Sequence, residues 1–240
     1  MSRCYLRYVC LRIQRRDATL EYRVGCTCAP HPRPSRLALH TNKRPVNDNR
    51  DMVRHRLQQA RLNRATNDYR ASESSISDMV ESVLEGHAPG VVAGYLAHRG
   101  EIDLGPTLKL LNDLGWQIVL PVCAAKAQMN FSPWSPGDEL TPNRYGIDEP
   151  TSPSVYPVTI DVVLTPGVGF DDRGARLGNG VGYYDRFFAR CFELEHNPLR
   201  IGVGHEFQVV GEVPREQWDV PMDMVITPDR IIDLTTENDE

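Results

Sequence analysis

From Val91 onward the chain alternates between two hydrophobic periods. Short apolar runs, Val91 to Leu96, Gln117 to Val122, Val162 to Leu164, Leu199 to Gly204 and Met224 to Thr227, are punctuated by Gly, Pro and charged residues. Runs of this length without polar alternation predict strands buried on both faces. Between them, apolar residues recur every three or four positions. This predicts one helix from Leu104 to Leu114, ending at Gly115, and another beginning at Tyr183 with Tyr184, Phe187, Phe188 and Cys191 on one side. Upstream, residues 50–67 predict a helix carrying Arg50, Arg54 and Arg61 on roughly one face, and residues 74–84 a second whose first serines act as caps. Strand and helix in alternation imply an α/β fold, a mainly parallel sheet with helices on both faces in three layers, forming a single domain over residues 49–240. Ligands of such a sheet sit at the C-terminal strand ends, where Glu101, the loop Gly178–Gly182 and Asp219 all fall.

Three segments depart from this pattern. Residues 124–157 are rich in Pro and bulky apolar or aromatic side chains, among them Met129, Phe131, Trp134 and Tyr145. A connection this long is either functional or partly folded into hairpins, and its aromatics either stack on a flat heterocycle or plug the sheet edge. Residues 207–213 are amphipathic and end at Pro214. Residues 1–48 form an irregular, Arg-rich stretch broken by Pro30, Pro32, Pro34 and Pro45. A disordered extension, translated sequence upstream of the true start and a transit peptide all suit that composition.

Charge and cysteine content narrow the function class. Residues 1–50 hold 11 Lys and Arg against three acids, whereas the remaining 190 hold 16 against 29. An acidic body argues against nucleic acid as a partner, and an anionic substrate has to be met by locally placed arginines. No apolar run reaches the ~20 residues needed to cross a bilayer. Four of the six cysteines lie in the first 28 residues and the body has only Cys123 and Cys191, which suits a reducing, cytoplasmic setting, or an organellar matrix if residues 1–48 are a transit peptide. Cys26 and Cys28 have no second pair at zinc-binding spacing.

The chemistry concentrates in Asp161–Cys191, a strand, a glycine-rich loop and a helix. Such a loop leaves backbone N–H groups free at a helix N-terminus and is a ready anion site. It is neither a Walker A sequence nor the dinucleotide fingerprint, since its glycines fall at 178, 180 and 182. A tight turn without a ligand is the plain alternative. Arg176 before the loop offers forked donors to phosphate, and Asp185 after it is placed to hold Mg²⁺ beside phosphate oxygens. Arg50 and Arg54, one helical turn apart, either form a solvated basic face or present two cations to a polyphosphate. Asp219 and Asp223 either hold a divalent ion or cap local turns.

The run Pro166-Gly167-Val168-Gly169-Phe170-Asp171, followed by Gly174-x-Arg176-Leu177-Gly178-x-Gly180-x-Gly182-Tyr183-Tyr184-Asp185, resembles the signature of the 5-formyltetrahydrofolate cyclo-ligase family. The resemblance extends over about Arg50 to Asp229 through Tyr95, Glu101-Ile102, Leu120-Pro121, Met129-x-Phe131, Tyr145-Gly146-Ile147, Glu149-Pro150, Gln208, Val213-Pro214, Asp219 and Asp223. It implies an enzyme that closes 5-formyltetrahydrofolate to 5,10-methenyltetrahydrofolate with MgATP, releasing ADP and phosphate, and that works as a monomer. By position it implies catalytic roles for Arg176, Tyr183 and Tyr184. It implies nucleotide contacts for Arg50, Arg54, Arg176, Leu177, Gly178, Asn179, Gly180, Val181, Gly182, Tyr183 and Tyr184. It also implies folate contacts for Glu101, Met129, Tyr145 and Asn179, and Mg²⁺ on Asp185 and Asp219. Asn179 and Val181 depart from the residues usual in the family's loop, and Arg50 stands where the family has Lys. The competing reading is therefore a folate- or nucleotide-binding relative with weak turnover or none.

Overall fold

The structure is a computed structural model that describes residues 46–63, 69–124, 128–143, 146–155 and 157–235. Expectations for residues 1–45, and for Tyr145, lie outside the described residues. The elements run α1 (Val46–Leu62), α2 (Tyr69–Leu84), β1 (Val91–Ala93), α3 (Gly105–Asp113), β2 (Gln117–Cys123), β3 (Met129–Pro133), β4 (Leu140–Pro142) and β5 (Asp148–Pro150). They continue β6 (Val162–Pro166), β7 (Gly169–Phe170), β8 (Arg176–Leu177), α4 (Tyr183–Glu193), β9 (Leu199–Val203), β10 (Met224–Ile226) and β11 (Ile231–Asp233). Helix α1 spans Val46–Leu62 and so ends at Leu62 rather than Asn67. No helix among the described residues is long and apolar enough to cross a membrane.

Seven strands form one sheet in the order β11-β10-β9-β6-β1-β2-β3. The five inner strands are parallel, with Val92 registered on both Val162 and Ile118, and Leu164 on Ile201. The edge strands β3 and β11 are antiparallel. Successive side chains of a strand point to opposite faces, and the core divides accordingly. Val92, Ile118, Leu120, Val162, Leu164 and Ile226 pack with Ile76, Val80 and Leu84 of α2 and Leu104, Leu108 and Leu111 around α3. Ala93, Val119, Val163 and Val225 pack on the other face with Phe187, Phe188 and Cys191 of α4. This is the three-layer α/β arrangement the continuous apolar runs require.

The segment after β2 plugs the sheet edge. Phe131 is 1% exposed on β3 and its ring meets Phe187 edge-on at 4.9 Å, so this aromatic is core and not a stacking surface. Residues 207–213, expected to be amphipathic, yield only a 3-10 turn at Glu206–Gln208. Gln208 is buried and donates from Nε2 to the carbonyls of Gly167 and Val168 at 2.8 and 2.9 Å, which uses the segment to support the end of β6.

Strand order reverses between β1 and β6. Chain direction carries β1 outward to β2 on one side and β6 outward to β9 and β10 on the other, so the crevice expected for a ligand opens above the C-terminal ends of β1 and β6. Phe170, fully buried, packs its ring over the end of β9: a Cβ on Gly202 would lie 2.6 Å from it and one on Gly204 2.8 Å. Gly202→Ala is expected to lower stability by about 1–3 kcal/mol through overpacking, measured by urea unfolding. In a Phe170→Ala background the same substitution is expected to cost markedly less. An equal cost in both backgrounds would show that Phe170 is not the neighbour that excludes the methyl group.

Candidate active site

Helix α1 lies over the C-terminal ends of the sheet, anchored by Leu57 against Val168, Ala175 and Leu177. Three of its four arginines, Arg50, Arg54 and Arg61, each reach a different part of the chain. Arg50 grips Asp219 with a fork, Nη1 to Oδ2 at 2.5 Å and Nη2 to Oδ1 at 3.1 Å, and also donates to the Pro214 carbonyl at 2.8 Å. Arg54 donates from Nε to the Gly178 carbonyl at 2.9 Å and pairs with Asp51. Arg61, 2% exposed, points Nη1 at Glu101 at 3.5 Å and at the Gly167 carbonyl at 3.3 Å. The spacing of these residues on one helical face is what lets a single element touch all three.

The loop 178–182 begins where the β7–β8 hairpin ends. Gly182 caps α4 with φ 72° and ψ 33°, a left-handed geometry open to glycine at little cost, and no side chain caps this helix end. The positive end of the α4 dipole therefore faces the loop without a side-chain cap, a setting that favours an anion. Arg176, 5% exposed, lies beneath the loop. It donates to Asp185 Oδ2 at 2.9 Å and covers the Tyr184 ring at 5.4 Å. Asp185 Oδ1 in turn accepts the Val220 N–H at 3.3 Å, which sets it beside Asp219. A cavity of about 660 Å³ opens here, lined by Arg50, Arg54, Gly178, Gly180–Gly182, Asp185, Arg186, Trp218 and Asp219 among others. Its lining carries three arginines and, with Asp51 and Glu216, four carboxylates, so it is not by itself cationic.

A second cluster faces the switch point. Glu101 follows a tight turn in which Arg99 (φ 50°) and Gly100 (φ 75°) are both left-handed. A Cβ on Gly100 would stand 3.1 Å from the Arg61 carbonyl oxygen, so α1 lies hard against this turn. His205 secures it from the other side with Nε2 3.0 Å from the Gly100 carbonyl. Burial raises the Glu101 carboxyl above its ordinary value, opposed by the Arg61 charge and the His98 N–H. Burial also pushes the Tyr184 hydroxyl well up, with the Glu101 charge adding to the rise and Arg176 opposing it. Glu101, Tyr184 and Arg176 thus form one electrostatic neighbourhood between the cavity and the switch point.

Most of the residues expected at the site converge. Arg50, Arg54, Gly178, Gly180, Val181, Gly182, Asp185 and Asp219 line the cavity, and Arg176 and Tyr184 stand behind it. Tyr183 and Tyr184 are half-buried against the α4 core. The Leu177 side chain is fully buried against α1, which leaves only its backbone for a ligand. Asn179 turns its Oδ1 to Gln58 of α1 at 3.0 Å. Met129 is 4% exposed and sits in the α4 core as backing. Asp219 and Asp223 both pair with arginine, Asp223 forming a fork on Arg200, so only Asp219 of the two belongs to the cavity. Sequence reasoning placed Arg61 on the right face without its partner Glu101. It passed over Trp218 and Arg186 as lining residues, because both reach the loop only through tertiary closure.

The sequence profile of the 5-formyltetrahydrofolate cyclo-ligase family matches residues 46–228. Similar proteins include the 5-formyltetrahydrofolate cyclo-ligase of Escherichia coli, 37% identical over 145 residues that cover 58% of this chain and 79% of the relative. Another is that of Saccharomyces cerevisiae, 31% identical over 191 residues, covering 70% and 90%. Among solved structures, the 5,10-methenyltetrahydrofolate synthetase of Aquifex aeolicus superposes with a TM-score of 0.68 at 29% identity, over 80% of this chain and 95% of that one. The chain belongs to the 5-formyltetrahydrofolate cyclo-ligase family.

Proposed function

We propose that the protein closes 5-formyltetrahydrofolate to 5,10-methenyltetrahydrofolate at the expense of ATP. The observation that carries the reading is the continuity of the two clusters: a phosphate-sized cradle on the Gly178–Gly182 loop adjoins, through Arg176 and Tyr184, a carboxylate at the switch-point crevice. Family membership supplies the substrate and product; the folate would lie over Glu101, and the triphosphate on the loop, with its γ-phosphate toward Tyr184.

In this reaction the formyl oxygen attacks the γ-phosphorus, the bond to the β-phosphate oxygen breaks and ADP leaves. The position-10 nitrogen of the folate then attacks the formyl carbon and gives up its proton, and phosphate departs as the ring closes. Positioning and charge neutralisation are the protein's main contributions to such transfers. The N-terminal amides of α4 bind phosphate oxygens, Arg176 offers its guanidinium to the transferred group, and Arg50 and Arg54 hold the rest of the polyphosphate. Glu101 accepts hydrogen bonds from the pterin.

The residues present suit Mg²⁺. Asp185 and Asp219 both line the cavity, and Mg²⁺ takes one or two carboxylates together with phosphate oxygens and waters. Asp185 and Asp219 would hold a divalent cation beside the phosphates, where it would supply charge neutralisation, and Arg176 and Arg50, which now pair with these carboxylates, would then face phosphate.

Incubation with 5-formyltetrahydrofolate and MgATP is expected to yield the methenyl chromophore and ADP in equal amounts. ADP without the chromophore, or neither product, would contradict the reading. Val181 is 46% exposed, so its side chain is not a packing element, and Val181→Gly is expected to leave kcat unchanged or raised. Loss of most of the turnover in that variant would assign the side chain a role in the loop. Glu101→Gln is expected to raise the KM for 5-formyltetrahydrofolate about tenfold without changing the KM for ATP. Because burial raises the folded pKa of Glu101 above 4.5, the carboxylate form is lost as pH falls through that raised value. The acid limb of kcat/KM for folate should therefore lie above pH 4.5 and vanish in Glu101→Gln. A shift of both KM values together would show a structural effect instead.

A further inference from the structure

We infer that Trp218 is the platform on which the base of the nucleotide stacks, and so a specificity-determining residue for the purine of the triphosphate. The inference rests on the reading of the Gly178–Gly182 loop as a phosphate cradle. The transferred phosphate has to face Tyr184 and Glu101, the switch-point side. The nucleoside must then extend the other way along the cavity, toward the wall made by Arg186 and Ala189 of α4 and by Glu216 and Trp218. Trp218 is the one aromatic residue of that lining, and it is 63% exposed. Ala189, with its single methyl group, leaves room opposite.

An exposed indole at a cavity mouth is a poor surface residue unless a ligand covers it, and the backbone beneath it is held rather than loose. The Glu216 N–H donates to Asp219 Oδ2 at 2.8 Å and the Asp219 N–H to the Glu216 carbonyl at 3.1 Å. Arg50 clamps both ends of this stretch, at the Pro214 carbonyl and the Asp219 carboxylate. The arginine that closes the phosphate cradle thus also fixes the turn that presents the indole. Stacking on an aromatic face is open to every base and stronger for the larger purine ring, so the platform favours purine over pyrimidine triphosphates without reading hydrogen-bond patterns.

The protein has three tryptophans. Trp116 is 6% exposed and the Trp134 ring nitrogen is buried, which makes Trp218 the solvent-facing fluorophore among them. The test titrates the full-length protein with Mg²⁺ and, separately, ATP, CTP and inorganic tripolyphosphate, reading indole emission and calorimetric affinity. In the wild type, ATP is expected to quench the emission, tripolyphosphate to bind without quenching, and CTP to bind more weakly than ATP. Trp218→Ala is expected to weaken ATP binding about tenfold and leave tripolyphosphate binding unchanged, whereas Trp218→Phe retains near wild-type affinity for ATP. Wild-type affinity for ATP in Trp218→Ala, or ATP binding to the wild type without quenching, would overturn the platform while leaving the cradle in place. Failure of both ATP and tripolyphosphate to bind the wild type would overturn the cradle and the platform with it. Quenching by ATP but not by tripolyphosphate decides the question even if the alanine variant fails to fold.

Discussion

The fork of Arg50 on Asp219 joins residues 169 positions apart in the chain, and much of the site depends on it. It draws the start of α1 against the segment that precedes β10 and closes the cavity over the Gly178–Gly182 loop. With both side chains largely buried, at 13% and 6% exposure, the pair is a strong constraint: removing one partner of such a pair costs about 3–5 kcal/mol because the other is left desolvated and uncompensated. The same helix then carries Arg54 to the loop carbonyl at Gly178 and Arg61 to Glu101. One element therefore bridges the phosphate side and the crevice side of the proposed site.

The two ion pairs at the cavity, Arg50–Asp219 and Arg176–Asp185, also suggest how a polyphosphate and a divalent cation enter together. Each pair is internally neutral, so the cavity holds its functional charges without a large uncompensated field. In the proposed reading Asp185 and Asp219 would hold the metal and Arg50 and Arg176 would hold phosphate, so that both pairs would exchange partners with charge kept balanced. Neither ligand alone offers that exchange: the polyphosphate meets the carboxylates, and the cation meets the arginines. The coupling is electrostatic and local, and it needs no movement of the sheet.

Much of this was legible in the sequence because it rests on periodicity and local chemistry. The buried runs Val162–Leu164 and Ile118–Leu120 announce inner strands, and the Arg50, Arg54, Arg61 face follows from helical spacing. The glycines at 178, 180 and 182 before Tyr183 mark an uncapped helix start. What escaped was set by tertiary contact. Strands β3 and β11 lie at edges, where one flank is unpaired and apolar patterning is weak. Residues 207–213 look amphipathic because Gln208 and Val213 turn inward, yet the chain there supports β6 instead of forming a helix. Phe131 reads as a candidate stacking surface until Phe187 is seen against it. Leu177 and Met129 share motifs with site residues while their side chains serve the core. Trp218 acquires meaning only once Arg50 has brought its turn to the cradle.

The most direct test of the central claim is a crystal structure of the protein with Mg²⁺ and a non-hydrolysable ATP analogue. The account predicts the phosphates on the N–H groups of Gly180 to Tyr183, Mg²⁺ on Asp185 or Asp219, and the Arg50–Asp219 fork opened so that Arg50 faces phosphate. A nucleotide seated elsewhere, or one seated on the loop with both arginine–carboxylate pairs intact and the metal held by neither aspartate, would contradict it.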